Sequence, residues 1–262
     1  MKLSLVTVNY NSFEQTQSLL HDLDHQTDQD FDCVVIDNNS EKTDQQKLGQ
    51  FGNRNWLSII YNSDNLGFAG GCNVGIAHAL KSSADYVLLI NNDTNVDSNF
   101  IAELRQQMVG EGIMALPLQE GPNVAYAGQV KWLQPTLSHL HAPIDKDTSL
   151  LYAIGGGVLI HRSVFKKVGP LDERYFLYFE DADYSLRARR KGTPFRYLTA
   201  PIITHKISQS TKKLGSPIIL RYHYRNMFMF NQRHAPWPLR IILPAWAFLG
   251  IVKQILKLIL RP

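Results

Sequence analysis

The sequence predicts an α/β protein with a mostly parallel central sheet flanked by helices. Three observations carry that expectation. Short β-branched apolar runs alternate with amphipathic stretches from residue 1 to about 116, the pattern of βαβ units. Hydrophobic residues make up 44% of the chain and charged residues 19%, enough for a core and too apolar for a disordered chain. At 262 residues the chain holds one large domain, or one domain with an appendage.

Leu3–Val8, Cys33–Ile36, Trp56–Tyr61 and Tyr86–Ile90 read as strands. After the first, Ser12-Phe13-Glu14-Gln15 fits a capping box, and Leu19, Leu20 and Leu23 share one face of the helix behind it. Cys72–Leu80 and Ser98–Met108 are the next helices. Residues 117–150 combine weak periodicity, several prolines and two histidines, His139 and His141, and receive no assignment. Tyr152–Ile160 reads as a strand interrupted by Gly155-Gly156-Gly157, Asp181–Lys191 as a helix stopped by Gly192, and Phe195–Thr199 as a further strand. A polar stretch, Lys206–Gly215, precedes Ser216-Pro217, which caps a helix running to about His234. The expected division is a sheet domain over 1–215, with halves at about 1–116 and 117–215, followed by C-terminal helices over 216–262.

Charge is split along the chain. Residues 1–181 hold 12 Lys and Arg against 22 Asp and Glu; residues 182–262 hold 15 against a single acid, Asp183. A basic end suits nucleic acid, an anionic membrane surface or a phosphorylated substrate. The charge-free run Ile241–Val252 is twelve residues long, short of the roughly 20 that span a bilayer. Beyond it Lys253, Lys257 and Arg261 recur every four residues opposite Ile255, Leu256, Leu258 and Ile259, with Trp237 and Trp246 upstream. That is the pattern of a helix lying in a membrane interface, and it disfavours nucleic acid as partner. Cys33 and Cys72 are too few for a disulfide framework, and the opening apolar run is interrupted by Ser4 and Thr7, unlike a signal-peptide core. A cytoplasmic protein at the membrane's inner face is expected.

Ligands of such sheets bind at the carboxyl ends of strands, so the loops at Asn9, Asp37, Asn62 and Asn91 matter most. Asp37 ends the run Val34-Val35-Ile36, where an acid accepts hydrogen bonds from a base or ribose; Asp-Asn-Asn also makes an ordinary turn. In Asn65-Leu66-Gly67-Phe68-Ala69-Gly70-Gly71-Cys72-Asn73, three glycines precede a helix whose N-terminus suits a phosphate or its sugar. Neither GxGxxG nor a P-loop is matched, which counts against a dinucleotide fold and an NTPase. Asp93 follows the apolar run Leu88-Leu89-Ile90, where a carboxylate holds a divalent cation bridging two phosphates, or simply ends a turn. His205 is solitary. The richest segment runs from Leu171 to Arg187 and sets Glu180, Asp181 and Asp183 behind an aromatic stretch. Asp183 and Arg187 pair one turn apart, leaving Glu180 and Asp181 ionised at a helix start, where a carboxylate can take a proton from an attacking hydroxyl.

In this order the segments resemble the family 2 glycosyltransferases of GT-A fold, within them the rhamnosyltransferase-like branch that builds bacterial cell-surface polysaccharides. The resemblance covers Lys2 to about Asn231. It is most specific in the N-x-G-F-A-G-G-x-N-x-G loop and the F-E-D-A-D-Y centre. It implies inverting transfer from a nucleoside diphosphate sugar, dTDP-rhamnose first, then UDP-hexose or UDP-galactofuranose, to a glycan or polyprenyl-diphosphate-linked acceptor. Residue by residue, it implies that Asp37 contacts the nucleoside base with Val8, Asn9 and Tyr10, and that Asn65, Gly67, Asn73 and Asn92 shape the nucleotide-sugar site. Asp93 and His205 would bind Mn²⁺ or Mg²⁺. Asp181 would be the general base, with Glu180, Asp183, Gly156 and Gly157 supporting the acceptor side. One departure stands out: Asn91-Asn92-Asp93 lacks the first acid of the family's DxD triplet. Two alternatives stay open, a catalytically silent sugar-nucleotide or glycan-binding relative and a sugar-1-phosphate nucleotidyltransferase, although the first loop, Asn9-Tyr10-Asn11-Ser12, lacks the latter's glycines and cations.

Overall fold

The computed structural model describes residues 1–132, 137–205 and 216–242. The first half runs β1 (Leu3–Asn9), α1 (Phe13–Asp24), β2 (Phe31–Asp37), α2 (Lys42–Gly49), β3 (Leu57–Tyr61), α3 (Gly67–Lys81), β4 (Tyr86–Ile90), β5 (Thr94–Asn95) and α4 (Phe100–Gln107). The second half runs β6 (Ile113–Ala115), β7 (Leu118–Glu120), β8 (Asn123–Ala125), β9 (Ala127–Gln129), β10 (Ser138–Leu140), β11 (Leu151–Tyr152), β12 (Gly157–His161), α5 (Arg162–Val168), α6 (Glu180–Arg190), β13 (Phe195–Tyr197) and β14 (Ile203–His205). A long helix, α7 (Ser216–His234), follows.

Seven strands form the central sheet in the order β13-β6-β12-β4-β1-β2-β3. All neighbours are parallel except β12, which runs antiparallel to both β4 and β6. Strands β1, β2 and β4 are buried along almost their whole length, as strands covered on both faces must be. Because side chains alternate, Leu3, Leu5, Val35 and Leu88 pack into one core with α1 and α4, while Val6, Val34, Ile36 and Leu89 pack into a second with α3 and α5. The stretch the sequence left unassigned supplies β7 to β10, which join two small sheets, β5-β14-β7-β8 and β10-β9-β11.

Several expectations need correction. Ser12 does not cap α1 through its side chain: its hydroxyl donates to Asn9 Oδ1 at 3.3 Å and accepts from Asn92 Nδ2 at 2.7 Å, while Asp44 Oδ1 takes the Phe13 N–H at 3.2 Å. The hydroxyl is drawn into a buried polar cluster that offers it more bonds than the helix end does. Helix α3 starts at Gly67, five residues before the expected Cys72, so Gly70 and Gly71 are helical rather than loop, and Gly67 enters at a left-handed φ of 71°. Close packing uses them: a Cβ on Gly71 would meet Val8 at 3.0 Å, and one on Gly75, a turn further on, would meet Val6 Cγ1 at 2.3 Å. The expected strand Tyr152–Ile160 is two strands in different sheets, and residues 153–156 cross from one sheet to the other. Helices α2 and α5 were not foreseen; α2 buries only Leu48, and one apolar anchor leaves no periodic signal. The Lys206–Gly215 stretch, Trp246 and the face carrying Lys253, Lys257 and Arg261 lie outside the described residues. Among the described residues no helix is long and apolar enough to cross a membrane.

Candidate functional site

A cavity of about 300 Å³ opens at the carboxyl ends of β1 and β4 and is closed by the turn leading into α6. Asp93 and Asp181, 88 positions apart in sequence, both line it, as do Glu180 and His205. The antiparallel pairing of β12 on β4 brings these elements together, because Gly157 opposite Ile90 sets residues 154–156 over the turn after β4. From there the Gly155 N–H donates to Asp181 Oδ2 at 3.0 Å, and the Gly156 carbonyl accepts from the Asn91 N–H at 3.3 Å. One short segment therefore meets both Asp181 and the turn that carries Asp93. Gly156 lines the cavity, whereas Gly157 lies beneath it, where a Cβ would meet Ile203 at 2.6 Å.

Asp93 and His205 are neighbours because β14 pairs with β5, placing His205 opposite Thr94. Nε2 of His205 approaches Asp93 Oδ1 to 3.2 Å, off the line a hydrogen bond requires, and is buried with no hydrogen-bond partner. An orphaned imidazole nitrogen beside a carboxylate oxygen suits an ion such as Mn²⁺ or Mg²⁺, with ligand oxygens and water completing its shell. Among the described residues no cluster of three or more His, Cys, Asp or Glu is assembled for a metal. Asn92 turns its amide away to Ser12 Oγ at 2.7 Å and Thr16 Oγ1 at 2.9 Å.

Glu180 and Asp181 open α6 side by side. Burial pushes the Glu180 carboxyl up to about 8, and the Asp181 charge adds to the rise. Burial raises Asp181 as well, against the pull of N–H bonds from Gly155 at 3.0 Å and Ala182 at 2.7 Å. Two adjacent buried carboxylates disfavour ionising together, and the two N–H donors favour the charged form of Asp181. Glu180 Oε2 is buried without a hydrogen-bond partner. Immediately before the pair, Tyr178 and Phe179 adopt left-handed φ values of 70° and 73°. For bulky side chains this costs about 1–3 kcal/mol each, strain that clusters at functional sites. Asp183 is fully buried on the inner face of α6; it makes the expected pair with Arg187 at 2.7 Å and also meets Arg233 at 3.0 Å and His234 at 2.7 Å.

On the opposite wall Val8, Tyr10, Asn65 and Gly67 line the cavity. Asn65 Oδ1 accepts the Gly67 N–H at 2.9 Å, and the next amide of α3, Phe68 N–H, donates to the Phe176 carbonyl at 2.9 Å. That end of the helix is thus partly capped by the chain itself. Asn9 and Asp37 lie behind the wall, wholly buried. The β1–β2 register sets them opposite each other, and Asn9 Nδ2 donates to Asp37 Oδ1 at 2.8 Å; Ser40 N and Gln45 Nε2 satisfy the other carboxylate oxygen. Asn73 clamps Leu171 through both carbonyl and N–H, at 3.0 Å each, outside the cavity lining. Among the lining residues that were not foreseen are Glu120, His139 and Asn38. Glu120 and His139 bond at 3.0 Å, and the Glu120 carboxylate raises the imidazole above its ordinary value. Asn38 bonds Gly67 O at 2.8 Å. The first two come from short strands with no periodic signal, and Asn38 from a turn whose Asp drew attention instead.

Known proteins share the sequence pattern and the fold. The model of the family described as Glycosyl transferase family 2 matches residues 4–169. The low-salt glycan biosynthesis hexosyltransferase Agl10 of Haloferax volcanii is 26% identical over 243 residues, 87% of this chain and 74% of its own. The dTDP-rhamnosyl transferase RfbF of Shigella flexneri is 24% identical over 261 residues, 90% and 82% of the two chains. The N-acetylglucosaminyl-diphospho-decaprenol L-rhamnosyltransferase of Mycobacterium tuberculosis is 23% identical over 272 residues, 91% and 88%. Among solved structures, GalNAc-T7 with UDP, GalNAc and Mn²⁺ superposes with a TM-score of 0.69 at 15% identity, over 89% of this chain and 50% of that one. The mannosyltransferase PcManGT of Pyrobaculum calidifontis with GDP-Man and Mn²⁺ gives 0.62 at 13% identity, over 94% and 69%. The fold is GT-A.

The raised Glu180 carboxyl has a measurable consequence. The unfolded chain titrates Glu180 near its ordinary value and the folded chain near 8, so the folded state holds the extra proton in between. Stability contributed by this group therefore falls as pH rises, by up to about 1.4 kcal/mol per pH unit. Denaturant titrations should show Glu180→Gln gaining about 1–2 kcal/mol on the wild type between about pH 6 and about pH 8. Identical pH slopes would mean that Glu180 is ionised in the folded protein throughout.

Proposed function

Because the chain belongs to glycosyl transferase family 2, we propose that it moves a sugar from a nucleoside diphosphate donor to a hydroxyl of a glycan or lipid-linked acceptor, inverting the anomeric carbon. The observation that carries this reading is the shared cavity of Asp93 and Asp181. An acid at each side of one hollow can act on the two ends of a single displacement, one stabilising the departing diphosphate and the other receiving the proton of the attacking hydroxyl.

Asp181 is the general base. Its two amide bonds keep it ionised and aimed, while Glu180 carries the pair's proton. Asp93 and His205 would hold the divalent cation, which would supply positive charge against that developing on the diphosphate. Val8, Tyr10 and Asn65 receive the nucleoside; Asn9 and Asp37 keep that wall in shape through the β1–β2 contact rather than by touching the base. Gly67, Asn73 and Asn92 fix the surrounding turns, and Asp183, Gly156 and Gly157 support the acceptor side. Attack from the Asp181 side is in line with departure toward Asp93, which accounts for inversion.

Two of the three relatives described are rhamnosyltransferases, one named for dTDP-rhamnose and one for a diphospho-decaprenol acceptor. Their names support dTDP-rhamnose first and a UDP-hexose or UDP-galactofuranose next, with a polyprenyl-diphosphate-linked sugar as acceptor in surface-polysaccharide synthesis. Such an acceptor requires a cytoplasmic membrane surface. Trp237, Ile241 and Ile242, 72%, 70% and 55% exposed after α7, offer apolar side chains to it.

Donor binding by calorimetry and transfer to a lipid-linked acceptor test the assignment. Asp181→Asn should bind donor as the wild type does and lose turnover by about 100- to 10,000-fold; near-normal turnover would remove Asp181 from the role of base. Excess chelator should abolish transfer and added Mn²⁺ restore it, whereas full activity in chelator would exclude Asp93 and His205 as an obligatory metal site.

A further inference from the structure

We propose that Asn226, on α7, is a positioning residue for the general base, the latch that keeps the turn before α6 in its left-handed form; this rests on the transferase reading given above. One stripe of α7 faces the segment that carries the acids. Tyr222 stacks on Phe176 with ring centroids 4.8 Å apart, Phe230 packs on Phe179 at 5.4 Å, and His234 bonds Asp183 at 2.7 Å. These positions, with Asn226, recur every four residues and lie one above another on the helix. Between the aromatic contacts, Asn226 is wholly buried. Its Nδ2 donates to the Leu177 carbonyl at 2.8 Å and the Tyr178 carbonyl at 3.2 Å, and its Oδ1 accepts from Arg225 Nη1 at 3.0 Å. Arg225 in turn donates to the Arg174 carbonyl at 2.8 Å.

The need for such a latch follows from the backbone. Tyr178 and Phe179 are consecutive left-handed residues, a conformation that bulky side chains leave unless something holds them. The Phe179 carbonyl accepts the Asp183 N–H at 2.9 Å and so begins α6, so the geometry of this turn sets where Glu180 and Asp181 point. The amide of Asn226 bonds both the Leu177 and Tyr178 carbonyls. Removing it takes a donor from each and frees the strain, which displaces Asp181 from the Gly155 and Ala182 amides.

Asn226→Ala should lower kcat by about 10- to 100-fold, the effect of a sub-ångström to ångström displacement of a catalytic group, and leave KM for the donor within about twofold. Glycine adopts positive φ without strain, so in the Asn226→Ala/Tyr178→Gly double variant the loss should be smaller than the product of the two single losses. Hydrogen exchange gives a readout independent of activity: the Asp183 amide should exchange faster in Asn226→Ala while amides of β1 and β4 keep their protection. Asn226→Asp, of the same size but without the donors, serves if the alanine variant does not fold, with the same expectations. Unchanged kcat together with unchanged Asp183 exchange would overturn the latch, as would strictly multiplicative losses. If the wild type transfers no sugar, the transferase reading fails by itself, and the exchange experiment still decides whether Asn226 holds the turn.

Discussion

Adjacent carboxylates lose solvation when they leave water, and Glu180 and Asp181 do so together at the first turn of α6. What makes the arrangement possible is the short segment Ile154–Gly157, which runs from the small sheet of β11 into the start of β12 in the central sheet. One of its N–H groups meets Asp181, and one of its carbonyls meets the turn that carries Asp93. A side chain at Gly155 would begin 3.3 Å from Asp181 Cβ, tighter than ordinary contact, and one at Gly157 would strike Ile203. The glycine run is thus what allows a parallel nucleotide-type sheet and a separate acid-bearing helix to face each other across one hollow.

From that contact outward the rest of the molecule reads as support. The antiparallel insertion of β12 next to β4 carries the glycines to the carboxyl end of the sheet, and the small sheet β5-β14-β7-β8 brings His205 beside Asp93. The network of Asp183 with Arg187, Arg233 and His234 ties α6 to α7 at its buried side. The membership in glycosyl transferase family 2 gives this geometry a reaction class, and the geometry gives the family assignment named atoms.

Much of this was legible in the chain. Strands β1 to β4 show themselves as β-branched runs, and the Asp183–Arg187 pair as an i, i+4 spacing that the structure confirms at 2.7 Å. Strand-end placement, a topological rule rather than a local one, pointed to the turn of Asp93, whereas Asp181, in the first turn of α6, was singled out by its acidic cluster and the family resemblance. Less visible were the features set by long-range contact. Ser12 gives up the cap because a buried cluster outbids the helix end; Asn9 and Asp37 face each other because β1 and β2 are parallel in that register. Glu120 and His139 sit on three-residue strands, too short for any period to register. The left-handed pair Tyr178-Phe179 has no sequence signature at all, since neither residue is a Gly or Asn.

The direct measurement is of distance between the two acids in the same site. Mn²⁺ bound with a nucleoside diphosphate, observed through the paramagnetic broadening it causes in backbone amide resonances, reports which amides surround the ion. The account predicts strong broadening at Thr94 and His205 together with Gly155 and Ala182, the two donors to Asp181. Broadening confined to Thr94 and His205, or centred on residues elsewhere, would show that the metal and the carboxylate of Asp181 do not share a substrate.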